Sequence, residues 1–129
     1  MSIFKTVLFI TLFLTGNILF AKRPAPLAIE PIIYKGIKYT VLHWAIDNGS
    51  NQNGGYILAT LNKSGKKVWG KQLYKTNYSS DLENDVQDVF ITSMSLSHEH
   101  KSLLVSNEKG YVYKIDLTNQ KVTTVETGT

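Results

Sequence analysis

The residues best suited to bind a metal form an acidic segment in the middle of the chain, with carboxylates at Asp81, Glu83, Asp85 and Asp88. Oxygen ligands spaced in this way can converge on Ca²⁺, but the segment lacks the glycine and the twelfth-position glutamate of an EF-hand loop. A solvated acidic loop, or a helix start whose carboxylates favour the helix dipole, explains the same residues. We therefore predict no bound metal, with these four residues as the calcium candidates.

The three histidines raise the alternatives of a zinc site and of metal-assisted hydrolysis. His98 and His100 share a face of an extended segment, whereas His43 is distant in sequence. A polar turn and one half-buried histidine explain them more simply. No serine stands in a G-x-S-x-G motif, and no glycines match a phosphate-binding loop. The sequence favours a non-catalytic protein without a cofactor. The alternative is a hydrolase that uses the histidines and the acidic segment.

A polar loop between aromatic residues is the stretch best suited to recognise a partner. Residues 47–55 contain three glycines and no apolar side chain, and long irregular loops in small domains often bind ligands. The aromatic residues on either side would add surface for a protein segment or a glycan. The predicted binding residues are Trp44, Asp47, Asn51, Asn53 and Tyr56.

The apolar patterns predict that β-strands position these residues. Residues 58–61 and 68–73 flank the turn-forming cluster Asn62 to Gly65, which predicts a β-hairpin. Runs at 32–34 and 37–42 predict a second hairpin around Lys35-Gly36. Further strands are expected at 89–97, 103–105, 111–117 and 122–125, the last at a sheet edge. From Val89 onward, the alternation places Phe90, Thr92, Met94 and Leu96 on one face. A short helical turn is expected from Ser79-Ser80 through Glu83.

Two stretches carry a resemblance to a known repeat family. The pattern A-x5-G-K-x2-W is formed by Ala59, Gly65, Lys66 and Trp69. It resembles the outer-strand signature of quinoprotein-type (PQQ-like) β-propeller repeats, which place an Asp where this chain has Leu61. Residues 102–122 resemble the last strands of a propeller blade. The resemblance implies blade-like strand and turn geometry, and it suggests an accessory subunit of a quinoprotein system as a further role.

The two halves of the chain echo each other, because Gly55-Tyr56-Ile57 and Gly110-Tyr111-Val112 both open a strand that ends in a polar turn. A propeller ring needs about four blades, so two units cannot close one. We predict an all-β fold, an antiparallel meander of two blade-like units closing as a small sandwich or partly open barrel over residues 32–129. A Pro-rich extended leader, 22–31, precedes it. Unpaired strand edges would allow a homo-oligomer by edge pairing.

The first twenty-one residues have the pattern of a signal peptide, with Lys5, an apolar run at 7–14 and Ala21 at the cleavage point. An uncleaved membrane anchor is the alternative. The chain contains no cysteine, and an exported domain without disulfides fits a bacterial periplasm. The net charge of +4 comes from scattered lysines, which argues against nucleic-acid binding. The sequence predicts an exported binding or assembly protein whose partner is an envelope protein or a glycan.

Overall fold

The computed structural model describes residues 23–128, and the predicted signal peptide lies outside these described residues. Residues 23–31 form a leader without regular secondary structure. Its three prolines explain this, because proline lacks a backbone donor and restricts the residue before it. Within residues 23–128, no helix has the length and apolar character needed to cross a bilayer.

The remainder is an all-β body of two four-stranded antiparallel sheets, which confirms the predicted fold class. The first sheet contains β1 (Ile32–Tyr34), β2 (Ile37–Leu42), β3 (Tyr56–Leu61) and β4 (Lys67–Gln72). The second contains β5 (Ile91–Leu96), β6 (Ser102–Asn107), β7 (Val112–Asp116) and β8 (Val122–Glu126). A 3-10 helix (Ala45–Asn48) follows β2, and a one-turn helix, α1 (Asn84–Gln87), lies between the sheets in sequence. Each strand pairs with its neighbours in sequence, so each sheet is a meander.

The predicted hairpin at residues 62–65 is confirmed, and the second sheet contains an equivalent turn. In the first, the Leu61 N–H donates to the Lys66 carbonyl (2.8 Å), and Gly65 adopts a left-handed φ of 76°. In the second, the Asp116 N–H donates to the Lys121 carbonyl (2.9 Å), and Gln120 has a φ of 58°. This match fixes the correspondence between the two units, with Leu61 equivalent to Asp116.

The equivalence predicts a stabilising substitution in the second turn. Gln120 occupies the left-handed position that Gly65 fills in the first turn. Such a conformation costs a non-glycine residue about 1 kcal/mol, which glycine avoids at some cost in unfolded-state entropy. We expect Gln120→Gly to raise the free energy of unfolding by about 0.5–1 kcal/mol, measured by urea denaturation. Thr118→Gly is the control. An equal gain there would contradict the turn assignment.

The two sheets pack through opposite faces. The first unit buries Ile57 and Ala59, whose equivalents in the second unit are Val112 and Lys114. The second unit instead buries Tyr113 and Ile115 from the other face of β7. The buried apolar residues of the strands in both sheets form one hydrophobic core. The units therefore stack head to tail, which means that one face of the first sheet packs against the non-equivalent face of the second. The contact has no two-fold symmetry.

The outer faces of the two stacked sheets carry polar residues. On the outer face of the first unit, Lys38 and Thr40 stand where the second unit buries Leu103 and Val105. On the outer face of the second unit, Lys114 stands where the first unit buries alanine. Terminal units of stacked repeats carry polar outer faces in this way. The outer faces are thus suited to solvent, and the free strand edges are β1, β4, β5 and β8.

Two local predictions need correction. The helical turn expected at 79–83 lies at residues 84–87 instead, because the Gln87 side chain folds back to bind Ser79 and the carbonyl of Leu82. The alternation expected along 90–96 holds at Met94 and Leu96, which pack on the core, but fails at Ile91 and Thr92, because the register shifts between Ile91 and Ser93. This bulge turns Ile91 toward the same core as Met94.

Candidate binding site

The structure brings two of the predicted binding residues together. Trp44 follows the end of β2, and Asp47 lies in the 3-10 helix that begins at Ala45. Both line a shallow cleft of about 400 Å³, whose other wall includes Ala28 and Ile29 of the leader. The loop and the leader therefore form one surface at this end of the first sheet.

The buried ring of Phe90 lies beneath this surface and packs against its aromatic residues. Phe90 is only 4% exposed, and Trp44 packs against it edge-on with 5.4 Å between ring centroids. His43 packs on the same ring at 5.5 Å, and its Nε2 donates to the carbonyl oxygen of Leu27 at 2.8 Å. The guanidinium of Arg23 lies 5.0 Å from the Phe90 centroid. These contacts hold both the tryptophan and the leader in place.

Three large apolar side chains are exposed at this end of the first sheet, two from the segment that contains Asp47 and one from the leader, whose Leu27 carbonyl binds His43. We call the four residues Leu27, Trp44, Ile46 and Asp47 the Trp44 surface. The exposed fractions of the apolar side chains are 86% for Leu27, 48% for Trp44 and 51% for Ile46. Grouped exposed apolar residues in a soluble domain mark interaction sites, whereas scattered ones need no explanation. The Trp44 surface is therefore a candidate interaction site.

The other predicted binding residues have different surroundings. Asn53 accepts a hydrogen bond from the Ile46 N–H at 3.1 Å, so its side chain holds the 3-10 helix. Asn51 is exposed on the loop. Tyr56 lies on the outer face of β3, where its side chain covers Gly70 of β4. The structure does not bring Tyr56 to the cleft beside Trp44.

Sequence reasoning missed the residue that anchors the loop. Gln52 is buried, and its amide nitrogen donates to the carbonyl oxygens of Gly54 and Tyr74, each at 3.2 Å. Its amide oxygen accepts the Thr76 N–H at 2.8 Å. The inner half of the loop is therefore part of the body, and only its outer half is free for a partner.

The four calcium candidates do not share one site. Asp81, Glu83 and Asp85 are exposed. Asp88 is 4% exposed, and one of its carboxylate oxygens accepts the Tyr78 hydroxyl at 2.6 Å. Within residues 23–128, no three metal-ligating side chains cluster closely enough to hold a metal ion.

The histidines of the hydrolase alternative lie at opposite ends of the first sheet. His43 lies beyond the last residue of β2, against Phe90. His100 packs on Tyr34, which pairs with the first residue of β2, with 5.5 Å between ring centroids. Six residues of strand span about 20 Å. The fold thus separates the residues that this mechanism would need together.

A second cleft, which the sequence did not reveal, opens between the two units. It encloses about 930 Å³ and is lined by the leader, the residues after β4 and the turn between β6 and β7. Tyr74, Tyr113 and Tyr111 stack along it, with centroid separations of 5.1 and 6.0 Å. We call it the tyrosine cleft. Its parts come from both units, so no local sequence pattern could have shown it.

The raised pKa values of buried tyrosines, two of them in this cleft, lead us to expect a loss of stability in alkaline solution. Burial raises the pKa of Tyr74, and the neighbouring Tyr113 raises it further. Burial is also the main cause that raises the pKa values of Tyr39 and Tyr113. A raised folded-state pKa contributes stability that is fully present below the unfolded pKa of about 10 and is lost as pH rises through the folded pKa.

We therefore expect the urea midpoint to fall as the pH is raised from 9 to 11, and to fall less steeply in Tyr74→Phe. Each buried tyrosine contributes a slope of at most about 1.4 kcal/mol per pH unit. A midpoint that does not change above pH 10 in the wild type, or a slope unchanged by the substitution, would contradict the burial of these hydroxyls.

The geometry defines a class of protein, an all-β body of two stacked meander units with a rigid aromatic surface at one end. Neither models of known protein families nor curated proteins match this chain.

Proposed function

We propose that this protein is an exported, non-catalytic binding or assembly module of the cell envelope, and that its Trp44 surface receives the partner. The observation that carries the proposal is that Trp44 is half exposed and yet fixed edge-on against the buried ring of Phe90. The partner is an envelope protein segment or a glycan. The signal-peptide pattern of residues 1–21 supports the location.

The arrangement suits binding because little conformational freedom remains to be lost. An immobilised side chain at an interface costs roughly 0.5–1.5 kcal/mol of ordering, and a tryptophan already packed in place avoids most of that cost. Tryptophan is also among the residues that dominate interface energies. Asp47 adds one carboxylate at the rim of the same cleft, where it would select the partner by charge.

The scaffold supports the resemblance to quinoprotein-type repeats. Ala59 pairs directly with Trp69 across β3 and β4, and the Trp69 ring packs on Tyr39 at 5.8 Å. The position where the repeat places an aspartate is Leu61 in the first unit and Asp116 in the second. Asp116 accepts the Thr118 N–H at 2.7 Å. Head-to-tail stacking is also what successive propeller blades would require, so we propose that the body derives from two such blades.

A paired capture experiment tests the proposal. Tagged wild-type protein and the Trp44→Ala and Ile46→Ser variants are used to capture partners from envelope extracts, with circular dichroism as the folding check. Val68→Ala is the matched control, because Val68 is exposed to a similar extent (47%) at the opposite, hairpin end of the sheet. We expect at least one component to bind wild type and Val68→Ala and to be reduced about tenfold with the other two. Equal capture by all four proteins would contradict the proposal.

A further inference from the structure

The tyrosine cleft is lined by polar side chains from both units. Three of its acceptor side chains, Asp88, Asn107 and Glu108, are already engaged within the protein. Glu108 forms an ion pair with Arg23 and accepts the Phe90 N–H at 2.9 Å. Asp88 accepts the hydroxyl of Tyr78. The side-chain oxygen of Asn107 accepts the N–H groups of Lys109 and Tyr111 at 3.0 and 3.1 Å.

The remaining polar groups of the cleft include several donors. Lys75 and Lys109 line the cleft and form no ion pair among residues 23–128. Tyr111 and Tyr113 also line it, and the described part of the chain gives neither hydroxyl a hydrogen-bond partner. A tyrosine hydroxyl, with a pKa of about 10, is protonated and can donate at neutral pH. Two ammonium groups and two phenols are complementary to an anion.

We propose that the tyrosine cleft binds a carboxylate-bearing polysaccharide. Tyrosine rings offer apolar surface to the C–H face of a pyranose and a hydroxyl to its polar edge, and the two lysines would hold the carboxylate of a uronic acid unit. The net charge of +4 adds a general attraction for an anionic polymer. This site is separate from the Trp44 surface, so it extends the proposed function with a second ligand.

An acidic peptide fits the cleft less well. Extended peptides are usually held through backbone hydrogen bonds to a strand edge. Here the turn between β6 and β7 has its own backbone groups engaged, with the Asn107 N–H on the Tyr111 carbonyl and the Gly110 N–H on the Asn107 carbonyl, both at 3.0 Å. Recognition in the cleft would therefore depend on side chains, which suits sugar hydroxyls and carboxylates.

Titration calorimetry with three defined probes tests the inference on the purified protein. The probes are trigalacturonic acid, the neutral sugar galactotriose and a hexaglutamate peptide. We expect binding of the acidic sugar alone. We also expect it to weaken about tenfold in Tyr111→Phe, which loses one charge-assisted contact, and about a hundredfold in Lys75→Gln/Lys109→Gln, which loses two. Trp44→Ala should leave this binding unchanged.

Each other outcome overturns the inference. Equal binding of hexaglutamate would show attraction by charge alone or a peptide site, and equal binding of galactotriose would show that the lysines do not select the ligand. Absence of trigalacturonate binding, or binding that survives the lysine substitutions, would also reject it. Tyr111→Phe removes only a hydroxyl, so the stacked rings and the fold are kept. Because Trp44 is not involved, failure here leaves the proposed function to its own test.

Discussion

Gly54→Ala is expected to lower the free energy of unfolding by roughly 3 kcal/mol or more, the sum of left-handed backbone strain and overpacking. Gly54 has a φ of 83°, and an added Cβ would collide with the carbonyl oxygen of Val89. That oxygen belongs to backbone, so the loop or the strand entry must shift. The residue after Val89 is Phe90, which supports Trp44. The substitution should therefore also disturb the Trp44 surface.

Gly49→Ala is the matched control for this effect. Gly49 has a similar φ of 91°, but an added Cβ there would meet nothing within 4 Å. Gly49→Ala should cost only the backbone strain, about 1 kcal/mol of unfolding free energy. Urea denaturation followed by circular dichroism measures both variants. If the two lose the same stability, the close approach of Gly54 to Val89 is wrong.

Leu103→Ala is expected to cost roughly 2–5 kcal/mol, as buried leucine-to-alanine substitutions do. Leu103 is fully buried in β6, within the core shared by both sheets. Removing its side chain leaves a cavity between the units that neighbouring strands cannot fill without breaking their register. This variant tests which face of the second sheet packs on the first.

Leu104→Ala provides the comparison from the opposite face of the same strand. Leu104 is half-buried and pairs with Lys114 on the outer face, so we expect a loss of about 1 kcal/mol or less. Urea denaturation of the two variants measures both losses of unfolding free energy and so compares the two faces of the strand. A larger loss for Leu104→Ala would mean that the outer face is the packed one, and the head-to-tail arrangement would be wrong.

Local chemistry made most of the strand order predictable. The Asn62 to Gly65 cluster combines turn-forming side chains with a glycine that has a φ of 76°, and β-branched runs on either side left few alternatives. The echo between Gly55-Tyr56 and Gly110-Tyr111 also had structural meaning, because both introduce the third strand of a sheet. Before the bulge near Ile91, alternation alone misassigned Ile91 and Thr92, although it placed Met94 and Leu96 on the core face.

The candidate sites were harder to predict because they depend on contacts between distant residues. Trp44 and Asp47 line the same cleft because they are only three positions apart in the sequence. The packing of Trp44 on Phe90 joins parts of the chain 46 residues apart. The tyrosine cleft combines Tyr74 of the first unit with Tyr113 of the second, and the face used by each unit is a property of their stacking, which periodicity within a strand does not determine.

Site-specific photocrosslinking in living cells tests whether the Trp44 surface contacts a partner. A photoreactive phenylalanine analogue replaces Ile46, next to Trp44, and in a second strain replaces Ser95, which is exposed on β5 of the second sheet. We expect a discrete adduct, with a protein or a glycan, from position 46 that disappears when Trp44→Ala is added, and none from position 95. No adduct at 46, or the same adduct from both positions, would contradict a binding role for the Trp44 surface.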